Sequence, residues 1–409
     1  MAAAQRGGIF TGVRILEFGS GAAGPLATRY FTEQGAAVVR LESAKRPDFL
    51  RLLHVAGAGD PQALNKAPMF TLINPDKKSV TLDLSRPEGV DLAKRLVGWA
   101  DVVSENFAPG VMERFGLDYP RLRVLKPDLV MVSSCLFGQT GPQRDYPGFG
   151  GQGAAISGFN HLTGEPDSEA HGPYGTITDT LSPRYVALLI AAALLDRRRT
   201  GRGRYIDLSQ IETGVYTLSE LLVRQSANGR SAERRGNRSE HAAPHNAYPA
   251  AGEDRWLVIA IHSDEEWARL RRTMGDPEWA RDPRYVNLAG RQLHEAELDE
   301  RMGAWTGQYD AHELMERLQA AGVAAGVVQD CADLLSDPQL AHRGHFQQLP
   351  HTHLGELPFD RAGFRLSEHP GGFDRAAPDL GEHSLELLRE LLGLSDAAIE
   401  RLQEDGVVY

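Results

Sequence analysis

The stretch VRILEFGSGAAGPLATRYFTEQGAAVVRLE, Val13–Glu42, decides the fold. Val13–Phe18 has the pattern of a buried strand, and Gly19-Ser20-Gly21-Ala22-Ala23-Gly24-Pro25 is a tight glycine turn. Leu26–Gln34 carries helical periodicity and stops at Gly35, and Ala37–Leu41 is a second strand. Strand, turn, helix and strand in this order make a βαβ unit, which calls for a parallel sheet with helices on its faces.

Working outward, the pattern repeats. Val80–Leu84, Asp101–Val103, Leu129–Ser133 and Arg204–Leu208 are strands, and Pro87–Leu96 is a helix with proline in its first turn. Ser182–Arg199 and Gln210–Val223 are further helices, the first around the apolar run Val186–Leu195. That run is about half of a membrane span, so it is expected to be a buried helix. Residues 138–175 are rich in Gly, Pro and polar side chains, and a loop of that length in a compact domain is usually functional. Composition shifts at the polar stretch Gln225–Arg238. Beyond it, Trp256–Ile261 is a strand and Asp264–Met274, Arg291–Trp305 and Ala311–Ala321 are helices. The expected architecture is α/β, a large Rossmann-like domain over 1–224, a small α+β domain over 225–334, and a segment 335–409 returning to the large domain through two amphipathic helices.

Composition narrows the function. The 409 residues are 42% hydrophobic and 24% charged, an ordinary globular balance, with net charge −11. An acidic chain is a poor nucleic-acid binder, though a local basic pocket can still hold a small anion. Cys135 and Cys331 are isolated thiols, which suit a reducing compartment. Met1–Gly8 has no apolar core of an export signal, so the expected location is cytoplasmic, with no membrane partner.

Gly19-x-Gly21-x-x-Gly24 after a strand, with Glu42 closing the next one, fits a dinucleotide fingerprint, and an NAD-dependent dehydrogenase is one reading. The bland reading is a glycine turn that touches no nucleotide. Several further blocks favour another class. Gly12–Glu42 with its Ala-Gly-Pro turn, NPDKKSVTLDLSRPEG (Asn74–Gly89) and ADVVSENFAPGVMERFGLDY (Ala100–Tyr119) resemble the family III CoA transferases, typified by formyl-CoA:oxalate and carnitine CoA transferases. FGQTGPQRDYPGF (Phe137–Phe149), RTGRGRYIDLS (Arg199–Ser209) and LGEHSLELLRELLG (Leu380–Gly393) extend the likeness over about the whole chain.

The resemblance implies CoA transfer from an acyl-CoA to a carboxylic acid through an aspartate nucleophile, here Asp179 in YGTITDTLSPRYVALLIAAALL. A carboxylate suits the task because it is ionised at neutral pH and leaves as readily as it attacks. Ser182 followed by Pro183 is a good helix cap, which leaves Asp179 free just before the helix. Backbone amides at Ala22 and Ala23 are the expected oxyanion donors. Some members carry a Gln where Ala22 stands, so only the backbone serves here. Arg40, Lys77, Lys78, Asn106, Phe107 and Arg114 lie in matching blocks and are the expected CoA contacts. No glycine run lies between Gly229 and Gly326, which disfavours formyl or oxalyl substrates. Basic groups such as Arg184 near the nucleophile give weak encouragement to succinyl-CoA and a dicarboxylic or aromatic acid as the substrates. No tightly bound cofactor is expected; acyl-CoA and acid are the partners, in an interlocked homodimer or a hetero-oligomer.

The rival within the fold is a 2-methylacyl-CoA racemase, which needs a histidine where this chain has Gly148-Phe149-Gly150; His161 and His171 lie nearby in sequence. A non-catalytic subunit would not need Asp179. Metal binding is not expected, because Pro244 interrupts His241 and His245 and no acid or thiol cluster flanks His351 and His353. There is no GxSxG elbow of an α/β-hydrolase.

Overall fold

Ile15 and Leu16 are neighbours in sequence, face opposite sides of one sheet as its pleat requires, and are both fully buried. The computed structural model describes residues 7–53 and 62–409. Most of the Met1–Gly8 segment, up to residue 6, lies outside the described residues. Strands β1 (Arg14–Glu17), β2 (Ala37–Glu42), β3 (Lys77–Thr81), β4 (Val102–Glu105), β5 (Val130–Cys135) and β6 (Arg204–Ser209) form a sheet of order β3-β2-β1-β4-β5-β6. Every pairing is parallel. The order in which strands are added to the sheet reverses between β1 and β4, and a crevice opens there at the carboxyl ends of the strands.

Alternation along the strands builds a core on each face. Ile15, Val38, Val102, Val130 and Val132 pack with Phe31, Val186 and Ile190. Leu16, Val39, Val80, Val103 and Met131 pack with Leu92, Leu96 and Val97 of the Pro87–Trp99 helix and with Leu387 and Leu388 near the C-terminus. Burying each such side chain is worth about 1.5–3 kcal/mol, so both faces of the sheet are firmly closed.

The chain divides into two compact units. The first runs through Asn160, resumes over Gly172–Arg230 and again over Ala341–Tyr409; the second takes His161–His171 and Ser231–Leu340. The excursion of residues 161–171 into the second unit was not expected from the sequence. Within the second unit, β7 (His245–Pro249), β8 (Trp256–Ala260) and β9 (Ala324–Val327) form an antiparallel sheet over a core of Leu257, Ile259, Trp267, Leu298 and Leu314. In the first unit, Asp83 donates its amide to Val407 at 2.9 Å and Leu82 bridges Val408, tying the C-terminus beside β3.

Several expectations are corrected. Strand β3 begins at Lys77 rather than Val80, because Lys77 is itself buried. The Gln210–Val223 helix is two, Gln210–Thr217 and Ser219–Asn228, and the second runs into the polar stretch Gln225–Arg238. The central helix is Ile177–Thr200, starting well before Ser182. It is long and apolar enough to cross a membrane by composition. Its Val186, Ile190 and Leu194 pack on the sheet, while Leu188 and Leu195 are exposed, so it is covered on one side only.

Candidate active site

At the carboxyl ends of β1, β4 and β5, a cavity of about 290 Å³ opens over the switch point. Asp179 lines it, together with Ala22 and Ala23 from the turn after β1, Asn106 and Phe107 after β4, and Ser134 and Cys135 at the end of β5. Phe49, Arg144, Tyr146, Phe149 and Gln210 complete its character.

Asp179 sits in the first turn of the Ile177–Thr200 helix, not before it. Ser182 is not the cap: its hydroxyl donates back to the Thr178 carbonyl at 2.7 Å, inside the helix. Pro183, four residues beyond Asp179, has no N–H for the Asp179 carbonyl. The Asp179 carboxylate is half-buried and receives donors from three elements. Gln210 Nε2 donates to Oδ1 at 3.1 Å, and the Thr176 hydroxyl and the Gly150 amide lie beside it and also favour its ionised form. Burial pushes its pKa above the ordinary carboxylate range and these donors pull against it, with burial prevailing. Gly150 opens the Gly150–Ile156 helix, and a Cβ there would strike both carboxylate Oδ2 and Thr176. Absence of a side chain at 150 is what lets that amide reach Asp179.

A buried charge network holds the turn after β1. Asp48 accepts the Gly21 amide with both oxygens, at 3.0 and 3.1 Å, and the Ser20 hydroxyl at 2.9 Å. Arg40 bonds Asp48 and Glu17. Lys77 Nζ bonds Glu17 at 2.8 Å, and Arg51 bonds Glu42 at 2.9 Å. Asn106 Oδ1 accepts the Ser20 amide at 3.0 Å and its Nδ2 donates to Ser20 O at 2.7 Å. Gly19 has φ +122°, and a Cβ there would overlap the Asn106 amide. The amides of Ser20 and Gly21 are thus occupied, whereas those of Ala22 and Ala23, at the start of the Ala23–Thr32 helix, have no acceptor among the described residues. Free N–H groups at a helix start favour developing negative charge.

The structure gathers Asp179, Ala22, Ala23, Asn106 and Phe107 around one cavity. It does not bring the cations there. Arg40 and Lys77 are corrected from CoA contacts to interior ion pairs: both are enclosed by carboxylates with no face open to a phosphate. Burial draws the Lys77 ammonium down to about 8. Lys78 pairs with Glu386 of the Ser384–Leu392 helix, and Arg114 is exposed on the short Val111–Arg114 helix; neither lines the cavity. Asn106 lines the cavity, but its amide is spent on the Ser20 turn. Arg184 donates to the Thr180 carbonyl at 2.7 Å and faces a different cavity.

Four contributors escaped sequence reading: Gln210, Gly150, Ser134 and Arg144. Gln210 and Ser134 were marked by one signal, their place at the carboxyl end of a parallel strand, where α/β sites form. Ser134 is 2% exposed and its hydroxyl has no partner among the described residues. Beneath it, burial pushes Glu105 up to about 7, against bonds from Ser133 and from the Phe107 amide at 2.8 Å. Burial and then Glu105 push the Cys135 thiol up to about 12, so Cys135 is a neutral wall and not a nucleophile.

The rival readings meet specific obstacles. Glu42, needed for a ribose hydroxyl, is buried and held by Arg51 and by Ser79 Oγ at 2.6 Å. Phe149 lines the cavity where a racemase needs its histidine, and neither His161 nor His171 is among the residues that line it. Among the described residues no cluster of His, Cys, Asp and Glu is placed to hold a metal.

A parallel α/β sheet with a donor-held carboxylate at its switch point is an arrangement that suits a carboxylate acting as nucleophile or base. The family model of CoA-transferase family III matches residues 10–384, and the chain belongs to that family. It is 37% identical over 397 residues to a succinyl-CoA–D-citramalate CoA-transferase of Chloroflexus aurantiacus, covering 97% of each chain. It is 32% identical over 400 residues to the beta subunit of a succinyl-CoA–L-malate CoA-transferase of the same organism, again 97% of each. A crystal structure of a CAIB/BAIF family protein from Brucella suis superposes with TM-score 0.87 at 29% identity, over 94% of this chain and 100% of that one.

Proposed function

We propose that this enzyme moves CoA from an acyl-CoA donor to a carboxylic acid with Asp179 as the nucleophile. A carboxylate Oδ attacks the thioester carbonyl, the C–S bond breaks, and CoA leaves as thiolate, giving an acyl-aspartyl anhydride. The thiolate then attacks the Asp179 side-chain carbonyl carbon; the bond between that carbon and the bridging oxygen breaks, and the donor acid leaves as its carboxylate. The resulting aspartyl-CoA thioester reacts with the incoming acid through the same two steps in reverse, and Asp179 is regenerated. CoA enters as substrate, and no bound cofactor takes part.

The observation that carries this reading is the Asp179 carboxylate, on a cavity wall and held by Gln210, Thr176 and Gly150. Those donors fix the attacking oxygens, and burial raises their basicity, which favours attack. The free Ala22 and Ala23 amides are suited to receive the oxyanion. Gly150 and Gln210 are positioning residues. The working unit in this reading is a dimer of the chain, which would cover the exposed Leu188 and Leu195; light scattering that returns the mass of a single chain removes this part.

Succinyl-CoA is the donor to test first, since both named relatives carry it in their names. Protein mixed with succinyl-CoA is treated with hydroxylamine or borohydride and mapped by mass spectrometry. A hydroxamate or a reduced alcohol at residue 179 is the expected result. An unmodified Asp179 in a protein that turns over rejects the nucleophile.

A further inference from the structure

Two side chains on the cavity wall stand out once the nucleophile, its donors and the oxyanion amides are assigned. The first is the Ser134 hydroxyl, buried and without a partner among the described residues. A buried hydroxyl with no partner from the chain is rare in a folded protein and leaves a bond for a group from outside it. The second is Arg144, the one cation among the described residues that line this cavity. Its Nε lies 3.4 Å from its exposed sequence neighbour Asp145, a pair worth little in solvent, and its two terminal nitrogens have no partner among the described residues.

We propose that Ser134 and Arg144 form the acyl subsite, and that it takes a short acid bearing a second carboxylate. This rests on the reading of Asp179 as nucleophile. A planar guanidinium fork matches a carboxylate in both shape and charge. Aromatic rings make up much of the rest of the wall: Phe49 meets Phe149 edge to face at 5.6 Å, and Phe137 meets Tyr146 at 6.0 Å. A nucleophile, aromatic rings and a cation suit a chain of methylenes with a carboxyl group at each end. Electrostatics requires such a cation, because a dianionic acid would otherwise be repelled by Asp179 itself. At about 290 Å³ the cavity is at the lower limit of small-molecule sites, which fits an acyl group and the thiol end of CoA rather than its nucleotide.

The test compares succinyl-CoA with butyryl-CoA, which differ in the terminal carboxylate, using wild type, Arg144→Gln, Arg144→Lys and Ser134→Ala. In Arg144→Gln the ratio of kcat/KM for succinyl-CoA over butyryl-CoA is expected to fall by about 10- to 100-fold, the scale of a lost hydrogen bond to a charged group. Arg144→Lys should keep part of the ratio, because it keeps the charge without the fork. Ser134→Ala should lower the ratio less, with no loss in Tm, since the hydroxyl bonds nothing in the fold. A KM raised equally for both donors in Arg144→Gln places Arg144 on CoA and overturns the proposal, as does an unchanged ratio. Calorimetric titration with free succinate and butyrate repeats the comparison without turnover: wild type must prefer succinate, and Arg144→Gln must lose the preference. Failure here is separable from failure at Asp179, since adduct mapping reads residue 179 whatever the ratio does.

Discussion

Gly150 and Asp179 approach so closely that the carboxylate occupies the space a side chain at 150 would need. One helix start thereby delivers an amide to an acid on another. Gly150→Ala is expected to displace the carboxylate and cut kcat by about 100-fold or more, the loss typical of a misplacement near 1 Å. Stopped assays against an unchanged circular-dichroism spectrum would check it. A variant with full kcat would show that this contact does not position the nucleophile.

Replacing the acid should separate stability from activity. Asp179 has a folded-state pKa raised above its unfolded value. Between those two values the folded protein holds more protons, so stability falls as pH rises through the window. Asp179→Asn, which can still accept from Gln210, should abolish transfer yet melt no lower than wild type at neutral pH. The advantage should vanish in acid below the unfolded value. Calorimetry across pH reads the sign directly.

Gln210→Ala removes one donor that favours the ionised acid. The acid limb of the kcat profile should move to higher pH, and kcat should fall about 10-fold, the scale of one hydrogen bond to a charge. An unmoved limb would mean that Gln210 does not tune Asp179.

Glu105 makes a second pH prediction, with its folded pKa pushed up to about 7 by burial. Stability owed to its neutral form is present below the unfolded value and is lost as pH rises towards 7. Glu105→Gln keeps an acceptor for the Phe107 amide and should raise Tm at pH 8 more than at pH 5. Equal shifts at both would place the cause elsewhere.

Arg40 was expected on a phosphate and is found sealed between Glu17 and Asp48. Arg40→Ala strands buried carboxylates and should cost about 3–5 kcal/mol of stability. Denaturant melts would show it as a lower midpoint. A normal midpoint with a raised KM for acyl-CoA would return Arg40 to the ligand.

The βαβ opening was legible because Ile15, Leu16, Val38 and Val39 are buried on both faces of a parallel sheet and so read as unbroken apolar runs. Lys77 hid the true start of β3, since a lysine is almost never buried unless paired, and its partner Glu17 is 60 residues away. The β10 (Phe346–His351) and β11 (Gly355–Asp360) hairpin went unread because Pro350 and Pro358 interrupt both strands. Asp179 emerged through likeness to a family, not through spacing. Its supports, Gln210 and Gly150, come from separate segments that only the tertiary fold brings to one carboxylate.

Under the active-site turn, three carboxylates, Glu17, Glu42 and Asp48, are matched by three cations, Arg40, Arg51 and Lys77, all out of reach of solvent. Counterions cannot enter to weaken those pairs, whereas an exposed guanidinium is screened within about 8 Å at physiological ionic strength. Concentrated salt should therefore blunt the capture of an anionic substrate while the scaffold keeps its shape, and dilution should restore the enzyme at once without any refolding.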